Sequence, residues 1–153
     1  MSTTNYANTF IAVSPDSSAT IGDTGPKPGS IAAIQLELLQ AQPYGLTSDD
    51  LLFEVHARRS DVATSDRAEA RAVFFSKPQA CLRASPLVKK HGWGIHHDAD
   101  GRVAAVAVET SAYRDFIERA DLKQTVGMRS ARKALGSPPI SSSRRRPGPS
   151  KGG

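Results

Sequence analysis

The segment Phe74–Asp98, FFSKPQACLRASPLVKKHGWGIHHD, holds the only cysteine, the only tryptophan, three of the four histidines, one arginine and three lysines. Side chains of these types act as nucleophiles, move protons and bind anions, so a site is expected here. Two chemistries fit. In the first, Cys81 and His96 sit on adjacent strands, the imidazole takes the thiol proton, and Arg83 favours the thiolate. No cysteine-enzyme signature surrounds Cys81, however, and a lone cysteine in a strand is commonly a small inert hydrophobe. In the second, Arg83, Ser85 and His96 offer donors and positive charge to an anionic or polar small molecule, with Lys89 and Lys90 close in sequence. Trp93, between Gly92 and Gly94, supplies a flat wall, and Glu54 completes the polar site or pairs with Arg83. The competing structural explanation makes Lys89–His91 a solvated turn, Trp93 a core residue and Glu54 half of an ion pair.

Metal chemistry finds little support. His96 and His97 are consecutive and point to opposite faces of a strand, and one cysteine with scattered histidines lacks zinc-site spacing. Asp98, Asp100 and Glu109 outline a calcium loop, but Gly101 falls fourth where the pattern needs it sixth. There is no phosphate-cradling loop and no G-x-S-x-G element, so no metal ligands and no cofactor are expected.

The elements that must position these residues can be read along the chain. Asn8–Val13 has strand composition and stops at Ser14-Pro15-Asp16. Asn5, Tyr6, Asn8 and Thr9 before it suit capping and turn bonding; they bear on a site only if this strand lies beside Arg83 or His96. Residues 17–30 form a surface loop, and Ser30 caps a helix over Ile31–Gln40 that Pro43 ends. Leu51–Ala57 alternates Leu51, Phe53, Val55 and Ala57 with Leu52, Glu54 and His56, the pattern of a half-buried strand. Asp61–Phe75 reads as a helix with Ala68, Ala72 and Phe75 inward. Ala80–Ser85 reads as a strand ended by Pro86, placing Cys81, Arg83 and Ser85 on one face. Trp93–His97, Asp98–Gly101 and Arg102–Val108 form strand, turn and strand, the last apolar on both faces as in a central strand. Ser111 caps a last helix with Tyr113, Phe116 and Ile117 inward.

The formal charge of +5 is unevenly placed. Arg129, Arg132, Lys133, Arg144, Arg145, Arg146 and Lys151 supply seven positive charges with no acid among them, which leaves residues 1–128 at −2. The basic tail is low in complexity, expected to be disordered, and suited at most to weak nonspecific nucleic-acid binding. The N-terminus lacks the basic and apolar regions of a signal peptide, and no apolar run approaches membrane-spanning length. A cytoplasmic protein without a membrane partner is expected.

Several blocks together resemble a family of small bacterial proteins known as a domain of unknown function. They are Asn5-Tyr6 with Asn8–Ile11, Ser48–Val55, Phe74–Leu87, Gly92–His96 and Gly127–Ser130. The resemblance covers nearly all of residues 3–133 and implies no activity. The tail beyond Lys133 is extra to the family pattern.

These readings combine into an α+β fold: an antiparallel sheet of about five strands with helices on one face, as a single domain over 3–133, followed by a disordered tail over 134–153. The function expected is recognition of an anionic or polar small molecule on the sheet face bearing Cys81, Arg83, Ser85 and His96, with Trp93 and Glu54 contributing. Two alternatives stand beside it: a cysteine-dependent enzyme using Cys81 and His96, and an interaction protein acting through its tail.

Overall fold

A computed structural model describes residues 4–129, and within them the chain forms four strands and five α-helices. Strand β1 (Thr9–Ala12) pairs antiparallel with β2 (Trp93–His97), which pairs antiparallel with β3 (Val103–Ala107). Strand β4 (Lys123–Val126) adds to the other side of β1 in parallel, giving the order β3-β2-β1-β4. The fold is α+β as expected. Its sheet, however, is mixed and has four strands, because Leu51–Ala57 and Ala80–Ser85 are not strands and Lys123–Val126 is one.

The register sorts the two faces of the sheet. Ile11, Ile95 and Ala105 stand in one row, with Thr9, His97 and Val103 beside it on the same face. Phe10, His96 and Ala104 stand on the other. The first face packs under α1 (Ile31–Ala41), α2 (Ser48–Arg59) and the short α4 (Pro86–Lys89), where Leu36, Leu39, Leu51, Val55, Leu82 and Leu87 join Ile11 and Ile95 in the main core. The second carries α5 (Ser111–Glu118), whose Tyr113 and Phe116 close over Phe10 and Val106. Helices therefore cover both faces rather than one. This also corrects the placing of β3: it is apolar on both sides because helices sandwich it, although it lies at the sheet's edge. Residues 44–47 shield part of that edge, the amide of Tyr44 donating to the Val103 carbonyl at 2.9 Å and the amide of Val103 to the Leu46 carbonyl at 2.9 Å.

Helix α2 replaces the strand expected at Leu51–Ala57 for two reasons. Thr47 and Asp50 form a reciprocal capping box, and Asp49 and Asp50 in the first turn with His56, Arg58 and Arg59 in the last match the helix dipole. Moreover, α2 is buried on two sides. Leu51 and Val55, four residues apart, enter the main core, while Phe53 and Ala57 enter a smaller cluster with Phe75 of α3 (Arg67–Phe75). Two helical stripes offset by two residues reproduce the alternation of a strand. In α3 the inward side chains beside Phe75 are Ala70 and Phe74, and Ala68 and Ala72 are exposed. In α5 the cap is Thr110, and Ile117 is 43% exposed. The amphipathic α1 starts at Ser30 as expected, its hydroxyl accepting from the Ala33 amide. The tail over 134–153 lies outside the described residues.

Candidate functional site

Residues 79–86 do not form a strand. Cys81 precedes a 3-10 turn at Leu82–Ala84, and Ser85 caps α4, with Pro86 at its first position. A proline there needs no amide partner and has its φ preset for the helix, so Ser85-Pro86 begins a helix rather than ending a strand. Cys81, Arg83 and Ser85 consequently point three ways. Ser85 is buried and donates to Oε1 of Gln35 at 2.5 Å while accepting from the Leu87 amide. Arg83 turns toward β4, its Nε donating to the Val126 carbonyl at 2.7 Å, and its own carbonyl accepts from the Met128 amide. Cys81 is half-buried, and its sulfur accepts a hydrogen bond from the Tyr6 hydroxyl at 3.1 Å.

A cleft of about 210 Å³ opens here between α1, α2 and the 79–86 segment. Gln35, Cys81 and Ser85 are its polar residues of most chemical interest, and Ile31, Leu52 and Leu82 are among its apolar walls. Donation to sulfur favours the protonated phenol, so Tyr6 titrates above the ordinary tyrosine range; burial acts in the same sense and the charge of Arg83 opposes it. Thus Tyr6, Cys81 and Arg83 are electrostatically linked. Among the described residues the Arg83 guanidinium has no carboxylate partner, and its two terminal nitrogens make no hydrogen bond.

His96 lies elsewhere. It stands on the α5 face, stacked on Phe116 with ring centroids 4.3 Å apart, and its Nδ1 is 2.8 Å from the hydroxyl of Tyr44. Tyr44 has a left-handed backbone, φ 59°, where the chain between α1 and α2 wraps the edge of β3 to reach this face. Burial lowers the His96 pKa and the charge of Arg119 lowers it further, while burial raises that of Tyr44. The histidine on the Tyr6 side is His97. Its ring meets that of Tyr6 edge-on at 5.4 Å, and it is fully buried with neither ring nitrogen hydrogen-bonded among the described residues. Burial, assisted by repulsion from His96, pushes its pKa down to about 4, with the carbonyls of Ile95 and Thr9 acting weakly the other way.

Trp93 is 7% exposed in the main core, under the loop before α1, and its indole N–H donates to the Asp23 carbonyl at 2.9 Å. Glu54 lies on α2, paired with Arg67 of α3 and facing Arg58 at 3.9 Å. The structure therefore groups Cys81 and Ser85 at one cleft with Arg83 beside it, and separates them from His96, Trp93 and Glu54. Gln35 and Tyr44 are the partners that sequence reading missed, and neither carried a signal. Tyr6 bears on a site on the condition that the first strand lie beside Arg83 or His96, and β1 does pair with the strand of His96. Among the described residues no group of three or more His, Cys, Asp and Glu is placed to hold a metal ion, and no helix is long and apolar enough to cross a membrane.

Fold and cleft define a small single-domain α+β protein with a mostly apolar, thiol-bearing depression between helices. The chain belongs to the family of unknown function DUF6157, whose family model matches residues 1–133. No curated protein and no solved structure matches it.

Proposed function

We propose that the protein recognises a small anionic molecule at the Cys81 cleft, with Arg83 as the charged anchor. The observation that carries this reading is the state of Arg83. Its guanidinium is fixed through Nε to a backbone carbonyl, and it keeps both terminal nitrogens without a carboxylate partner among the described residues. A guanidinium held in this way loses little freedom on meeting a carboxylate or phosphate, and its planar N–H pairs match either anion. Tyr6 and Cys81 supply further polar groups beside it, and Gln35 and Ser85 add an amide and a hydroxyl within the cleft. His96 on the opposite face takes no part, which disfavours a Cys81–His96 catalytic pair.

The test is the ligand-induced change in melting temperature across a panel of small carboxylates and phosphates, wild type against Arg83→Ala. Stabilisation that Arg83→Ala abolishes is expected for at least one compound. Equal responses from both proteins would sink the reading.

A further inference from the structure

The molecule carries a second depression, with a charged rim, that the Cys81 cleft does not explain. It lies between α2 and α3, has a volume of about 330 Å³, and is floored by Leu46, Phe53 and Ala68. Asp50 and Glu54 from α2 and Arg67 and Arg71 from α3 form its rim. Each pair is spaced four residues apart, so the side chains meet as two rungs: Arg71 to Asp50 at 3.1 Å, and Arg67 to Glu54. Both guanidiniums also lie over the Phe53 ring, at 5.3 and 5.7 Å from its centroid.

We propose that this groove is a binding site for a compact organic anion, a phosphate or carboxylate bearing a small apolar body. The use of donors and acceptors decides the sign of the ligand. Asp50 gives one oxygen to Arg71 and the other to the Thr47 amide, and the two oxygens of Glu54 face Arg67 and Arg58. Three of the four carboxylate oxygens are therefore held at close range, and Oε2 of Glu54 faces Arg58 only at ion-pair distance. Each guanidinium, in contrast, uses only its NH2 nitrogen, which leaves Nε and the other terminal nitrogen without a hydrogen bond among the described residues. The groove consequently has more donors to spare than acceptors, since Nε and one terminal nitrogen of each arginine stand free against the one Glu54 oxygen without a hydrogen bond, so it favours an anion over an ammonium group. Stacking on Phe53 holds the two guanidinium planes in place, which reduces the ordering cost of binding. Leu46 and Ala68 give the apolar body a surface to cover. Arg58 is itself balanced by Glu37 at 3.8 Å, so the local charge is nearly neutral and the site is selective through geometry more than through field strength. This site is separate from the Arg83 anchor and stands whether or not that reading does.

The experiment follows backbone amide NMR shifts during titration with phenyl phosphate at low salt, with benzyl alcohol as the neutral control. Saturable shifts at residues 50–54 and 67–71 are expected, absent with benzyl alcohol and retained in Arg83→Ala. Ala68→Phe, at an exposed helix position, fills the groove and is expected to weaken binding at least tenfold; Arg71→Gln should do the same. An absence of saturable shifts at these residues, equal shifts with benzyl alcohol, or unchanged affinity in folded Ala68→Phe would overturn the proposal. Loss of these shifts in Arg83→Ala would move the anion to the other site and overturn it too.

Discussion

The hydroxyl of Tyr6 lies 3.1 Å from the sulfur of Cys81, joining two positions 75 residues apart. The bond ties the segment ahead of β1 to the 3-10 turn beside the cleft, and it favours the protonated phenol. Because the folded pKa of Tyr6 is raised above its ordinary value of 10.0, its contribution to stability is complete below pH 10 and is lost as pH rises through the folded value. Tyr44 and Tyr113 are raised as well, chiefly by burial, and act in the same direction.

Phenolate absorbance should therefore develop at higher pH in the folded protein than in denaturant, and Cys81→Ala should shift the Tyr6 component back toward the ordinary value. Tyr6→Phe is expected to cost about 1 kcal/mol at pH 7. In a double-mutant cycle with Cys81→Ala, urea unfolding should give a coupling of roughly 0.5–1 kcal/mol. Strictly additive costs would show that the contact carries no energy.

His97 governs the acid side. Its pKa falls from 6.5 to about 4 on folding, so between those values the unfolded chain binds a proton that the folded chain refuses. Stability is thus complete above pH 6.5 and declines as pH falls, by about 2 kcal/mol at pH 5 from this group, at about 1.4 kcal/mol per pH unit. Replacing it with an apolar ring, His97→Phe, should remove most of the difference in urea midpoint between pH 7 and pH 5. His96, also depressed by burial, leaves a smaller slope of the same sign. An unchanged pH dependence in His97→Phe would refute the assignment.

Much of the scaffold was legible because its signals are local. Ser30 before Ile31–Ala41 is a capping serine, and Asp98–Gly101 between two apolar runs is a hairpin turn. What failed was local evidence with two meanings. The alternation at Leu51–Ala57 arises from a helix buried on two sides, and its signs were the Thr47–Asp50 capping pair and the acidic-to-basic run from Asp49 to Arg59. Strand β4 was invisible: Lys123–Val126 is short and mostly exposed, and what makes it a strand is its parallel pairing to a segment more than a hundred residues earlier. The site was legible to the same degree. Cys81, Arg83 and Ser85 were flagged by residue type, but their partners Tyr6, Val126 and Gln35 come from distant segments that spacing cannot align.

The Ser85–Gln35 pair should behave as a unit. Both side chains are buried, 4% and 2% exposed, so Ser85→Ala leaves the Gln35 carbonyl oxygen without its donor and removes the α4 cap. A cost of roughly 2–3 kcal/mol is expected, combining the unsatisfied group and the lost cap. Adding Gln35→Leu to Ser85→Ala should recover about 1 kcal/mol or more, since two apolar groups in place of a buried polar pair are nearly neutral. Thermal or urea unfolding reads this directly, and a double variant less stable than Ser85→Ala would contradict it.

Among the described glycines, the one with the least room for a side chain separates two costs usually measured together. Gly92 and Gly29 both adopt left-handed conformations, φ 79° and 83°, so alanine at either suffers the same conformational penalty, about 1 kcal/mol. Their surroundings differ. A Cβ at Gly92 would lie 2.1 Å from the Ile21 carbonyl oxygen, in the loop whose Asp23 carbonyl accepts from Trp93, whereas a Cβ at Gly29 meets nothing within 4 Å. Gly29→Ala should therefore lower stability by about 1 kcal/mol, and Gly92→Ala by at least about 3 kcal/mol because backbone must move. Displacing that loop should also uncover Trp93, so Gly92→Ala is expected to red-shift its fluorescence in the native state while Gly29→Ala leaves the emission unchanged. Equal destabilisation by the two substitutions would mean that the Ile21 carbonyl yields freely and that the loop is not held against β2.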